Sequence, residues 1–138
     1  MSGHIALQNA IYSKLQNDST LSALVTGVYD DVEQVNASES RTAFPYVVIG
    51  DDSYNDWDTD TETGFDVVIT VHIWSRYRGR KEVKQIQDAV YTALNRQSLS
   101  VSGYAVLDVL YLESESFVDA DGETRHGIIK FNVKMEAV

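Results

Sequence analysis

The sequence predicts an α+β fold, a mostly antiparallel sheet with helices packed on one face, in the order α-β-β-β-α-β-β. Three stretches predict it. From Gly64 to Tyr77 the odd positions Phe65, Val67, Ile69, Val71 and Ile73 are apolar, while Asp66, Thr70 and His72 interrupt the even ones. That is the period of a strand with one continuous hydrophobic face. Val83, Ile86, Val90 and Leu94, with Ala89 and Ala93, recur at helical spacing and oppose Lys84, Gln87, Asp88 and Asn95. Finally, two alternating runs meet at Asp119-Ala120-Asp121-Gly122, and Asp-Gly at such a joint marks a hairpin.

In chain order, Ile5, Leu7, Ile11 and Leu15 predict a helix over about 4–16, which Asn17-Asp18-Ser19 stops and restarts. A short second turn through Leu21, Leu24 and Val25 ends at Gly27, and Val28, Tyr29 and Val32 suit a short strand. Residues 33–42 are polar and small, the composition of a surface loop. Pro45 opens P-Y-V-V-I-G, a strand over 46–49 whose first position tolerates a missing N–H, and Gly50 breaks or bulges it. The acidic, threonine-rich segment 51–63, carrying Tyr54 and Trp57, is expected to be an irregular hairpin end. It leads into the long strand, whose ten residues from Phe65 to Trp74 span about 33 Å, enough to cross a small domain. The helix follows over about 79–96, and then the strands 104–117 and 125–135. In the last of these Gly127, Ile129, Phe131, Val133 and Met135 face one way, with His126, Lys130, Asn132 and Lys134 mostly on the other. Val67, Ile69, Val71, Val83, Ile86, Val90, Ile129 and Phe131 are therefore expected to share one core.

The chain has 138 residues and no cysteine, so it offers one domain's worth of core and no disulfide, thiolate metal site or Cys nucleophile. Cysteine usage points to a reducing compartment, and no apolar run approaches the roughly 20 residues that span a bilayer. The net charge of −10 argues against a general nucleic-acid binder, but it is unevenly spread. Residues 1–66 hold twelve acids against Lys14 and Arg41, whereas residues 67–138 hold nine acids and nine bases. Five of those bases cluster at Arg76, Arg78, Arg80, Lys81 and Lys84, in and before the first turn of a helix, where the dipole disfavours cations. Simple solvation and an anionic partner both account for them.

Motifs for chemistry fail their structural requirements. Asp56, Asp58 and Asp60 open like a calcium loop, but its glycine position holds Thr61 and its twelfth position Val67. Asp119-x-Asp121-Gly122 fails likewise, with Lys130 at the twelfth position, and the hairpin accounts for it. His4, His72 and His126 lack neighbours at ligand spacing, and a His72 half-buried on a strand is more often a hydrogen-bonded packing residue. No nucleophile elbow, phosphate loop or dinucleotide fingerprint occurs. Glu113 and Glu115 fall on one strand face, which suits a solvated edge better than an acid/base pair.

Five stretches together carry a resemblance: F-P-Y-V-V-I-G at 44–50, the Asp56-Trp57-Asp58 region, V-H-I-W-S at 71–75, G-R-K-E-V-K-Q-I at 79–86, and D-A-D-G-E-T-R-H-G-I-I-K-F at 119–131. In this order they resemble the small tail terminator, or tail completion, proteins of long-tailed phages, prophages and gene transfer agents, over nearly the whole chain. The resemblance implies a single tail-terminator-like domain over 1–138, without catalytic, cofactor or metal-binding residues. It implies a structural assembly protein: a hexameric ring that caps the finished tail tube, stops its polymerisation and provides the tail side of the head–tail joint. The implied partners are further copies of itself, the tail tube protein and a head connector or stopper protein, with DNA passing through the ring and no membrane. The implied location is the virion tail, assembled in the bacterial host cytoplasm.

Ring assembly needs two different patches per subunit, and the charge distribution offers them. Tyr54, Asp56, Trp57, Asp58 and Asp60 are candidates for one side, and Arg76, Arg78, Arg80, Lys81 and Lys84 for the other. Two competing classes remain. A small acidic enzyme would need a convergent polar pocket that the sequence does not show. An acidic interaction module or inhibitor unrelated to tails fits the net charge but not the balanced second half.

Overall fold

The computed structural model describes residues 3–30 and 44–138; the polar loop predicted at 33–42, and Val32, lie outside them. Helix α1 (His4–Gln16) is followed by the single turn α2 (Ser19–Ser22), where the Asp18 carboxylate caps the N–H of Leu21 at 2.9 Å. Strands β1 (Val28–Tyr29), β2 (Tyr46–Asp56) and β3 (Gly64–Ser75) precede helix α3 (Lys81–Leu94), and β4 (Tyr104–Val118) and β5 (Arg125–Ala137) form the final hairpin. They make one sheet in the order β1-β2-β3-β5-β4, parallel at β1–β2 and antiparallel elsewhere. The α+β prediction is met.

One difference matters for function. Gly50 does not end β2; the register slips between Ile49 and Asp52, and the strand resumes beside β3 as far as Asp56. A bulge absorbs the extra residue without ending the pairing, so the first half of the predicted hairpin end, 51–56, is strand and only 57–63 is turn.

The core lies on the face covered by α1, α2 and α3. All eight expected residues are buried there in one cluster, together with Leu7, Ile11, Leu21, Val47, Val133 and Met135. The helix comes very close to the sheet at Gly127, where a Cβ would sit 2.7 Å from a Val83 methyl. The absence of a side chain therefore sets the depth of α3 against β5.

On the opposite face Tyr46 and Val48 are buried among Tyr29, Phe44 and Trp74. Towards β4 this face turns polar, and Lys130 approaches Glu113 at 3.6 Å. That is the solvated carboxylate row expected of Glu113 and Glu115.

Candidate functional site

The acidic and basic groups occupy opposite ends of β3, about 36 Å apart along the strand. At its start, residues 57–63 close a turn on themselves. Trp57 N–H donates to the Gly64 carbonyl at 3.0 Å, the Asp58 carboxylate accepts from Gly64 N–H at 2.9 Å, and the N–H of Glu62 donates to the Thr59 hydroxyl at 3.0 Å. Gly64 is buried under this turn, and a Cβ there would meet the Trp57 carbonyl oxygen at 2.6 Å. A hydrogen bond with Asp58 is the main cause that raises the Asp56 carboxyl above its ordinary range. The alternating aspartates are thus partly a self-bonded turn. Among the described residues no group of three or more His, Cys, Asp or Glu side chains is placed to hold a metal ion.

The candidates at this end divide. Tyr54 is half-buried, its ring 3.8 Å from that of His4 and its hydroxyl donating to the His4 carbonyl at 3.4 Å. Burial, helped by Asp52, pushes its phenol up to about 12. It packs α1 onto β2, an internal role beside the partner contact expected of it. Trp57, by contrast, is 38% exposed, with Asp56, Asp58 and Asp60 exposed around it.

At the far end of β3, Arg76 is likewise drawn into the subunit. Its Nε donates to the Thr124 hydroxyl at 3.1 Å, its guanidinium stands 3.9 Å from the Asp121 carboxylate, and it stacks 4.6 Å over the Phe44 ring. The Thr124 hydroxyl and backbone N–H groups of the turn hold Asp121 down at about 2, with Arg76 a lesser cause. Arg76 therefore ties the β3 exit to the β4–β5 turn, an internal role beside the contact expected of it. Arg78, Arg80, Lys81 and Lys84 are exposed. Arg80 occupies the N-cap of α3 without a side-chain cap bond, and Glu82, the acid of that first turn, accepts from the buried Ser75 hydroxyl at 2.7 Å. Cations thus stand at a helix start that offers them little local compensation.

One arrangement escaped the sequence. His72 and His126 meet on the face opposite the helices, with His72 Nδ1 and His126 Nε2 2.8 Å apart, one ring donating to the other. His126 stacks on Trp74 at 3.8 Å and meets Phe117 edge-on at 4.9 Å. Burial lowers the pKa of both, and His72 further lowers that of His126. Asp51, 3.9 Å from the other nitrogen of His72, pulls weakly the opposite way. His72 is therefore a hydrogen-bonded packing residue as expected, but the two histidines are not scattered. Only the β3–β5 register, with Trp74 opposite His126, puts them together.

The family model described as tail completion protein gp17 matches residues 9–136. The chain is 31% identical to the tail completion protein gp17 of Bacillus phage SPP1 over 126 residues, 91% of this chain and 88% of that protein. Among solved structures, a chain of the virion of a native gene transfer agent particle superposes with a TM-score of 0.85 at 26% identity, covering 95% of each.

Proposed function

The chain belongs to the tail completion protein gp17 family, a structural component of phage tails and phage-like particles, and from that premise we propose that it caps the tail tube. The cap is a closed ring, six-membered by the family resemblance, which stops tube polymerisation and presents the tail side of the head–tail joint. Its partners are further copies of itself, the tail tube protein and a head connector or stopper protein. DNA passes through without sequence-specific binding, and assembly takes place in the host cytoplasm. The role is structural and requires no catalysis, cofactor or metal. The whole chain acts as one unit, since β3 pairs with strands from both halves of the sequence.

The observation that carries this beyond family membership is the charge separation along β3. A ring requires a heterologous contact, in which two different patches of each subunit meet. Asp56, Trp57, Asp58 and Asp60 stand at one end of the strand and Arg78, Arg80, Lys81 and Lys84 at and beyond the other. Exposed ion pairs are individually worth about 0–1 kcal/mol and chiefly set orientation and rate, so the contact also needs an apolar anchor, and Trp57 supplies it.

The test is tube length. Particles lacking this chain should make tails of uncontrolled length that do not join heads, and adding the purified chain should restore both length and joining. Tails of normal length without the chain would contradict the capping role.

A further inference from the structure

We propose that Trp57 of one copy seats in the cleft between α3 and β4 of the next copy, packed against the paired rings of Tyr91 and Tyr111. This presupposes the head-to-tail ring proposed above and names its central contact. The cleft has a volume of about 450 Å³ and is lined by Lys84, Asp88, Tyr91 and Tyr111 over the buried Ile129. Pockets that enclose a ligand occupy roughly 300–1,000 Å³. Tyr91 and Tyr111 stand edge-on at 5.1 Å and are 42% and 37% exposed, and Leu112 beside them is 49% exposed. Such a concentration of apolar surface on an edge strand is what folded proteins otherwise avoid.

Three observations select Trp57 of a second copy as the occupant. Charge is the first: exposed Lys84 stands at the cleft with exposed Arg80 and Lys81 one turn before it on α3, outweighing the cleft's one carboxylate, Asp88, and in the chain the exposed indole of Trp57 lies between Asp56 and Asp58. Hydrogen bonding is the second, since a buried indole N–H needs an acceptor and the Asp88 carboxylate lines the same cleft. Strand direction is the third. β4 forms one edge of the sheet, and β2 beyond Val48 has no outer strand neighbour among the described residues. These two edges run in opposite directions, as the antiparallel pairings β2–β3, β3–β5 and β5–β4 require. A neighbour in the same orientation therefore lays its β2, which leads into Trp57, antiparallel beside β4. The Asn95 side chain and Arg96 N–H already occupy backbone groups of Tyr111 and Val109. Those bonds leave the stretch from Leu112 onward as the approachable part of the edge.

Sedimentation and native mass spectrometry of the purified full-length chain, from micromolar to millimolar concentration, test this with Trp57→Ala and Tyr91→Arg. Both positions are exposed, so the thermal midpoint should stay near that of the wild type. Each variant alone should lose self-association, with the dissociation constant rising about 30-fold or more, as for a buried aromatic anchor. Mixing the two should give a heterodimer, because the wild-type Trp57 of one meets the wild-type cleft of the other. Trp57→Phe should retain most of the assembly. If both variants form the same closed oligomer as the wild type, the cleft is not the receptor, although the ring stands. If the wild type stays monomeric throughout the range even with tail tube ends present, the head-to-tail reading falls and this contact falls with it.

Discussion

The two ends of β3 solve opposite problems. The acidic end is organised internally: Asp58, Thr59, Glu62 and Gly64 bond within one turn, Tyr54 is held by His4, and Trp57 is left exposed on a fixed base. At the basic end a single side chain, Arg76, anchors to Thr124, Asp121 and Phe44, and the next four cations stand exposed at an uncapped helix start. One end is a shaped projection and the other a loosely held field of charge. The difference teaches that fixed geometry and long-range attraction, both of which the proposed head-to-tail contact requires, lie at opposite poles of the same subunit.

Removing the support shared by both ends should have the largest effect. Phe131 is fully buried on β5 opposite Ile69 of β3, and Phe131→Ala should cost about 3–5 kcal/mol. Ile86→Ala, under α3, should cost about 2–5 kcal/mol. Denaturant midpoints check both, and amide exchange should report the two ends loosening together. Unchanged midpoints would mean that the helices pack elsewhere.

The acidic end can be broken alone. Gly64→Val drives a side chain into the backbone carbonyl of Trp57 and should cost about 1–3 kcal/mol, with faster exchange at the amides of 57–64 and not at 124–127. Arg76→Ala is the counterpart at the basic end. It loses a half-exposed ion pair, a hydrogen bond and a ring contact, about 1 kcal/mol together, and should loosen 119–125 instead.

The histidine pair, near the basic end of β3, predicts an acid response separate from the charge contacts there. Both folded pKa values lie below the ordinary 6.5, so the unfolded chain binds more protons than the folded one as pH falls below that value. The stability contributed by the neutral pair is complete above pH 6.5 and is lost progressively as pH falls towards the folded pKa values. His126→Gln should flatten the dependence of the thermal midpoint between pH 6.5 and the folded range. Asp121, held at about 2, is also depressed, so its contribution is present above the ordinary carboxylate range and lost only as pH falls to about 2. The two acid losses are therefore separable in a titration.

The smallest effect on stability should come from the exposed cations. Arg78→Glu with Arg80→Glu should move the midpoint by no more than about 0.5 kcal/mol per site, yet should abolish assembly. Asp60→Lys with Glu62→Lys in the same chain should partly restore it. Asp60 and Glu62 are better partners for the swap than Asp58, whose carboxylate already caps Gly64. Assembly of the wild type should also weaken as salt rises towards 1 M, where the Debye length is about 3 Å.

How far the sequence carried depended on the range of the interaction. The elements and the core face follow from periodicity, which is local, and every core residue named from β3, α3 and β5 is buried together. The charge separation was equally visible, because it is a property of order along the chain. The sequence could not decide between the break and the bulge it allowed at Gly50, since only pairing with β3 carries the strand on to Asp56. Nor could it show that Tyr54 and Arg76 are engaged internally, because their partners His4, Thr124 and Asp121 lie 45 or more positions away. The His72–His126 pair and the Tyr91–Tyr111 cleft depend on which strands are neighbours and in what register, and composition carries no trace of either.

The most direct test of the central claim is the subunit count of the wild-type chain at low ionic strength, by native mass spectrometry with and without tail tube protein. Head-to-tail contact between the two poles predicts one closed ring of six above the monomer, with no accumulation of dimer. A two-fold dimer as the end state, or a monomer that persists even with tube ends present, would contradict it.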